Sequence, residues 1–127
     1  MIDSIAHRRF KDRLYGQFAL TGKALASPAR LEILELLAQG PRTVEALANE
    51  SNLSIANASQ HLQVLRQSRL VESQKHGLFV EYRLAGPDVF EMCRALRLVA
   101  ETRSAELERS AGSKPTYRSV PVRARAS

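Results

Sequence analysis

Three proline-bearing breaks, Ser27-Pro28, Gly40-Pro41 and Gly86-Pro87, cut the chain into segments, and the hydrophobic period inside each decides what it can fold into. Before the first break, Phe10, Leu14, Phe18 and Leu25 recur near multiples of a helical turn, with Arg8, Arg9, Lys11 and Arg13 among or before them, which predicts a helix over 8–25. Ser27 can cap free N–H groups and Pro28 suits a first helical position, so a second helix starts there. Its apolar face is Leu31, Leu34, Leu37 and Ala38, and Gly40-Pro41 ends it near residue 39. Thr43 can cap a short helix, Val44–Glu50, with Val44, Leu47 and Ala48 inward. After the polar turn Ser51-Asn52-Leu53, a fourth helix is expected over Ser54–Gln67, with Ile55, Ala58, Leu62 and Leu65 as its core side.

The period then drops to two. Leu70–Ser73 and Phe79–Leu84 read as short strands, with Lys75-His76-Gly77 as the hairpin tip. Beyond Gly86-Pro87-Asp88, the residues Val89, Met92, Cys93, Leu96, Val99, Ala100 and Leu107 trace a long last helix to about Glu108. Aromatic residues are 6% of the chain and tryptophan is absent, so a core drawn from the 44% hydrophobic content is aliphatic, as suits helices. The expected fold is mainly α with a small β-hairpin wing. One domain over 8–109 is expected, followed by a basic tail, 110–127, too rich in Ser, Arg, Ala and Pro to order.

The formal charge of +6 invites a nucleic-acid reading, but its location weakens that inference. Lys114, Arg118, Arg123 and Arg125 lie in the tail, which has no acid, leaving 15 basic against 13 acidic side chains in residues 1–109. Cys93 is the only cysteine, which excludes an intramolecular disulfide and a multi-cysteine zinc site within one chain, and points to a reducing cytoplasm. Met1–Arg13 is too charged for a signal peptide, and no apolar run reaches bilayer length, so no membrane partner is expected. No phosphate loop, nucleophile–base arrangement or zinc-hydrolase spacing supports an enzyme, and no cofactor is called for.

Two short helices joined by a tight polar turn, the second with a hydroxyl- and amide-rich face, form a helix-turn-helix, and the following hairpin makes it winged. The sequence resembles the ArsR/SmtB family of bacterial repressors through Lys23-Ala24-Leu25-Ala26-Ser27-Pro28-Ala29-Arg30-Leu31-Glu32-Ile33-Leu34, then Ser59-Gln60-His61-Leu62-Gln63-Val64-Leu65-Arg66, Leu70-Val71-Glu72 and Val80-Glu81-Tyr82-Arg83-Leu84. The resemblance covers about residues 10–108. It implies a homodimer joined through the first and last helices, sitting on double-stranded operator DNA and repressing a promoter until an inducer binds or a thiol reacts. The apolar stripes of those two helices fit a second copy, although they could instead pack on each other within one subunit. The competing class is a winged-helix protein-interaction module without specific DNA binding.

Asn57, Ser59, Gln60 and Gln63, with His61 as a weaker candidate, carry amide, hydroxyl or imidazole groups suited to base edges. Ser54 and Arg66 are candidates for phosphates, and Lys75 and His76 for the minor groove or its phosphates. In metal-sensing relatives a Cys-x-Cys pair would fall at Thr43 and Glu45, which are not soft ligands, and the last helix offers Asp88, Glu91, Glu101, Glu106 and Glu108 but no histidine. No metal site is therefore expected. Thiol-based relatives place a first cysteine near Glu35, so Cys93 is either a small core residue or a sensor that acts by modification of its single thiol or by bridging to its dimer mate. The inducer is left open among thiol chemistry at Cys93, a small organic effector in the apolar interface, and control by abundance or a protein partner.

Deleting residues 112–127 is expected to flatten the salt dependence of DNA binding and leave sequence preference unchanged. Salt titrations on specific and random duplexes check this, and loss of preference in the shortened chain contradicts it.

Overall fold

A computed structural model of the chain describes residues 2–111. Its elements are α1 (Ile2–Leu25), α2 (Pro28–Ala38), β1 (Arg42–Thr43), α3 (Val44–Glu50), α4 (Ile55–Gln67), β2 (Val71–His76), β3 (Phe79–Leu84) and α5 (Pro87–Ala111). The expected tail lies outside the described residues beyond Ala111, and Ser110 and Ala111 still belong to α5. Helix α1 begins six residues before the expected start, because Ile2 and Ile5 extend its apolar series and Asp3 complements the positive end of the helix dipole.

Three hydroxyls start three helices by the same contact. Ser27 accepts from the Arg30 N–H at 3.3 Å, Thr43 from Ala46 at 3.2 Å and Ser54 from Asn57 at 3.0 Å, each satisfying a donor that the first turn would otherwise leave unpaired. Two helices also end alike. After α3, Asn52 at φ 58° turns the chain so that Leu53 N–H reaches Ala48 O at 2.8 Å and Asn52 N–H reaches Asn49 O at 3.3 Å. After α4, Arg69 at φ 63° lets Leu70 N–H reach Leu65 O and Arg69 N–H reach Arg66 O, both at 3.0 Å. These are paired Schellman closures, and the leucine after each left-handed residue folds back onto the core, Leu70 buried and Leu53 partly so.

The core gathers Ile33, Leu34, Leu36 and Leu37 of α2, Leu47 of α3, Leu62 and Leu65 of α4, Leu70 and Val71, and Val89 and Cys93 of α5. Helix α2 is thus buried on more sides than the expected Leu31, Leu34, Leu37 and Ala38 face. Leu31 and Ala38 are only half-buried, and Ile33 and Leu36 replace them because α1, α4, α5 and β3 all pack on this helix. Ile55, expected in the core, is 53% exposed, since it occupies the first turn of α4 beyond the reach of α2.

The sheet has three antiparallel strands in the order β1-β3-β2, where a two-stranded hairpin was expected. Arg42 and Thr43 pair with Tyr82 and Glu81, and two residues are too few to produce a period. The turn between β2 and β3 is Gly77-Leu78, with Gly77 at φ 61°, so of the expected tip only Gly77 lies in the turn. Lys75 and His76 sit instead on the last two positions of β2, opposite Val80 and Phe79.

Arg69 holds a left-handed conformation that disfavours a side chain with a Cβ. Arg69→Gly is therefore expected to raise folding stability by about 0.5–1 kcal/mol, measured by chemical denaturation. A loss of stability would show that the arginine side chain itself supports the fold.

Candidate nucleic-acid interface

Burying Ala58, Leu62 and Leu65 fixes which side of α4 meets solvent. At about 100° per residue, Ala56, Gln60, Gln63 and Gln67 stand opposite that buried side, with Ser59 beside them and Asn57 and Arg66 at the two edges. All seven are exposed. The polar face expected from the sequence therefore holds for Asn57, Ser59, Gln60, Gln63 and Arg66. Ala56 and Gln67 join it, and both were missed because alanine carries no polar signal and Gln67 was read as the helix end.

Residues 51–71 contain no carboxylate, so the turn, α4 and the turn after it present only neutral or cationic groups. Arg66 and Arg69 have no carboxylate partner among the described residues, and both border an open depression with Gln67 and Ser73. Arg69 was not identified from sequence. The signal that singles it out is its backbone, a bulky residue held at positive φ beside an exposed polar helix. Ser54 remains exposed but its oxygen is engaged by the Asn57 N–H, which leaves its O–H as the group able to donate outward.

His61 is set apart from the others. It is half-buried, and its Nδ1 lies 3.4 Å from Nη1 of Arg30 on α2. On the wing, His76 Nε2 approaches Glu81 Oε1 at 3.3 Å, with its ring beside Phe79, and Arg83 bonds Gln74 at 2.8 Å and faces Glu72 at 3.5 Å. Lys75 alone of the wing cations has no carboxylate partner among the described residues. The strands thus place Lys75 and His76 near the tip, but they do not touch the α4 group.

Helices α1 and α5 keep large apolar side chains in solvent. Phe10, Leu14, Phe18 and Leu20 on α1 and Leu96, Leu98 and Val99 on α5 are all exposed, and Ala24 is the one α1 residue buried. Packing within one subunit therefore leaves both stripes uncovered. Large apolar side chains left in solvent on two helices are the kind of surface that another chain covers.

Cys93 sits on the inward side of α5, buried in the core. Desolvation pushes its thiol pKa up, and the nearby Glu35 carboxylate adds to this by repelling the thiolate. Glu35 grips Arg97 of α5 through both carboxylate oxygens, at 2.6 Å to Nε and 2.5 Å to Nη2, and Arg97 also reaches Glu101 at 2.9 Å. Those contacts, the Glu35 hydrogen bond foremost, hold the guanidinium even more firmly protonated than usual. Thr43 is occupied as the α3 cap. Among the described residues no three His, Cys, Asp or Glu side chains converge on a point that could hold a metal ion.

Residues 27–73 match the profile described as bacterial regulatory protein, arsR family. The HTH-type transcriptional regulator Rv0324 of Mycobacterium tuberculosis is 42% identical over 97 residues, covering 76% of this chain and 43% of that protein. The chain thus spans less than half the length of that relative. The uncharacterized HTH-type transcriptional regulator Rv0081 of the same species is 41% identical over 78 residues, 61% of this chain and 68% of that one. Among solved structures, the homodimeric winged helix-turn-helix DNA-binding domain of Mb0332 from Mycobacterium bovis (fragment 1–100) superposes with a TM-score of 0.69 at 44% identity, covering 72% of this chain and 84% of that one.

Because Cys93 is buried with a raised pKa, its alkylation in the folded protein near neutral pH is expected to run at least about tenfold slower than that of a free thiol, and to reach the free rate in denaturant. Iodoacetamide labelling followed by mass spectrometry reads both rates. Labelling of the folded chain at the free-thiol rate would place Cys93 at the surface.

Proposed function

The chain belongs to the arsR family of bacterial regulatory proteins, and from that premise we propose that it is a homodimeric, sequence-specific DNA-binding repressor of the bacterial cytoplasm. The observation that carries this reading is the carboxylate-free stretch 51–71, whose exposed side offers amides, a hydroxyl and arginines. A polyanion repels acid and rewards cations, while base edges in the major groove are read by neutral groups that both donate and accept. That face meets both conditions.

In this reading α4 enters the major groove. Gln60 and Gln63 supply bidentate amides, the pairing suited to adenine N6 and N7, with Asn57 and Ser59 reading flanking positions. Arg66, Arg69 and the Ser54 hydroxyl hold phosphates on either side of the helix, which fixes its register without reading sequence. Lys75 and His76 bring the wing to the adjoining minor groove or its phosphates. The apolar stripes of α1 and α5 close on a second copy, and a two-fold dimer then presents two α4 helices to half-sites about 34 Å apart. Occupying a promoter in that way blocks transcription. No helix of the described residues is long and apolar enough to cross a membrane.

Gln60→Ala and Gln63→Ala are each expected to cost about 1–3 kcal/mol in operator affinity, roughly five- to 150-fold, with random-duplex affinity unchanged. Arg69→Ala is expected to weaken both and to lower the salt slope by about one. Anisotropy titrations on the DNA upstream of its own gene and on random duplex check these outcomes. Binding that is absent, or equal on both duplexes, would favour the protein-interaction module.

A further inference from the structure

Arg30 joins α1, α2 and α4 through a single planar group. Its backbone N–H is held by the Ser27 cap, which fixes the first turn of α2. From there the guanidinium donates Nε to Ala24 O at 2.6 Å and Nη2 to Lys23 O at 3.2 Å, both carbonyls of the last turn of α1. The third nitrogen, Nη1, lies 3.4 Å from Nδ1 of His61 on α4. A guanidinium can only donate, so in this contact Nδ1 is the accepting side. A cation placed over helix-terminal carbonyls is stabilised by the dipole, and its rigid fork lets it serve both neighbours at once, which a lysine ammonium on a flexible stem does not.

We propose that Arg30 is a positioning residue of the DNA-binding face: with His61 it locks the rotation of α4 to the end of α1, and so to the dimer. The inference rests on the DNA-binding reading and deepens it. His61 lies at the edge between the buried and exposed sides of α4, one residue from Gln60 and one turn from Asn57 and Leu65. Core packing of Ala58, Leu62 and Leu65 restrains the helix from within, and the Arg30 contact restrains it at that edge. Helix α1 meanwhile carries Phe10, Leu14 and Phe18 to the apolar face that a second copy covers. Arg30 is then the polar joint that sets how the two α4 helices are aimed, which determines the half-site spacing that the dimer accepts. His61, a candidate base contact from sequence, acts through Arg30 instead.

The test uses the full chain with Arg30→Gln, Arg30→Lys, His61→Leu and His61→Asn, since the asparagine Oδ1 can accept where Nδ1 does. Each is titrated against an operator duplex selected in vitro with the wild-type chain, against versions with the half-site spacing changed by one base pair, and against random duplex. Thermal melting is followed in parallel. Arg30→Gln and His61→Leu are expected to lose about tenfold in operator affinity, to keep random-duplex affinity, and to discriminate poorly between spacings. His61→Asn should stay within about twofold of wild type. The Arg30→Gln/His61→Leu double variant should bind no more weakly than either single change. Should Arg30→Gln fail to fold, Arg30→Lys and the two His61 variants carry the same comparison. Unaltered spacing selectivity in the Arg30 and His61→Leu variants overturns the assignment, as does His61→Asn losing as much as His61→Leu, which would make His61 a direct base reader. A wild-type chain without operator preference overturns the DNA-binding reading itself.

Discussion

The burial of α2 is the constraint from which the rest of the subunit follows. Ile33 and Leu34 are fully buried and Leu36 and Leu37 nearly so, on a helix of eleven residues. Fully burying side chains of this size is worth about 1.5–3 kcal/mol each, and here the same four are shared by α1, α4, α5 and β3. A short helix cannot serve that many neighbours with one apolar face, so α2 is apolar on most sides and charged only at Arg30, Glu32 and Glu35. Of these, Glu35 reaches α5 by an ion pair and Arg30 reaches α4 by a hydrogen bond.

Because α2 is fixed, the direction of α4 is decided by how the chain leaves α3 and how it leaves α4 itself. Both exits use a left-handed residue followed by a leucine that returns to the core. Asn52 adopts that conformation at small cost, since its short polar side chain tolerates it. Arg69 does not, and a glycine there would be easier. The arginine puts a cation beside the C-terminal end of α4, where the path of the DNA backbone is expected, so the strain at that position and the proposed phosphate contact have one explanation.

Much of this was legible in the sequence, for physical reasons that also define what was not. Capping hydroxyls and Gly-Pro breaks act over three or four residues, so Ser27, Thr43, Ser54 and Gly40-Pro41 announced α2, α3 and α4 to within a residue. Period alone also gave the polar side of α4. It failed where long-range packing decides the outcome: Ile33 and Leu36 are buried because four neighbours surround α2, and Ile55 is exposed because none reaches it. The two-residue strand β1 exists only through its pairing with Tyr82 and Glu81. Likewise the role of His61 depends on Arg30, thirty-one positions away, and no local pattern carries that contact.

The two sides of the subunit make opposite demands on charge, and the sequence separates them. The α4 side carries no carboxylate over residues 51–71, whereas α5 is dense in ion pairs, with Arg94–Glu91, Arg97–Glu101 and Arg103–Glu106 along its length. Exposed pairs of this kind add little stability, but they keep a helix with exposed Leu96, Leu98 and Val99 soluble until those residues are covered. The half-buried Arg97–Glu35 pair differs from them because it joins two elements. Breaking it would strand a carboxylate beside the buried Cys93 thiol. Helix α5 is therefore joined to the core by charge at one point, on α2, and α4 by a hydrogen bond at another, also on α2. Any rearrangement of α1 and α5 on pairing would reach α4 through α2, which packs on all three.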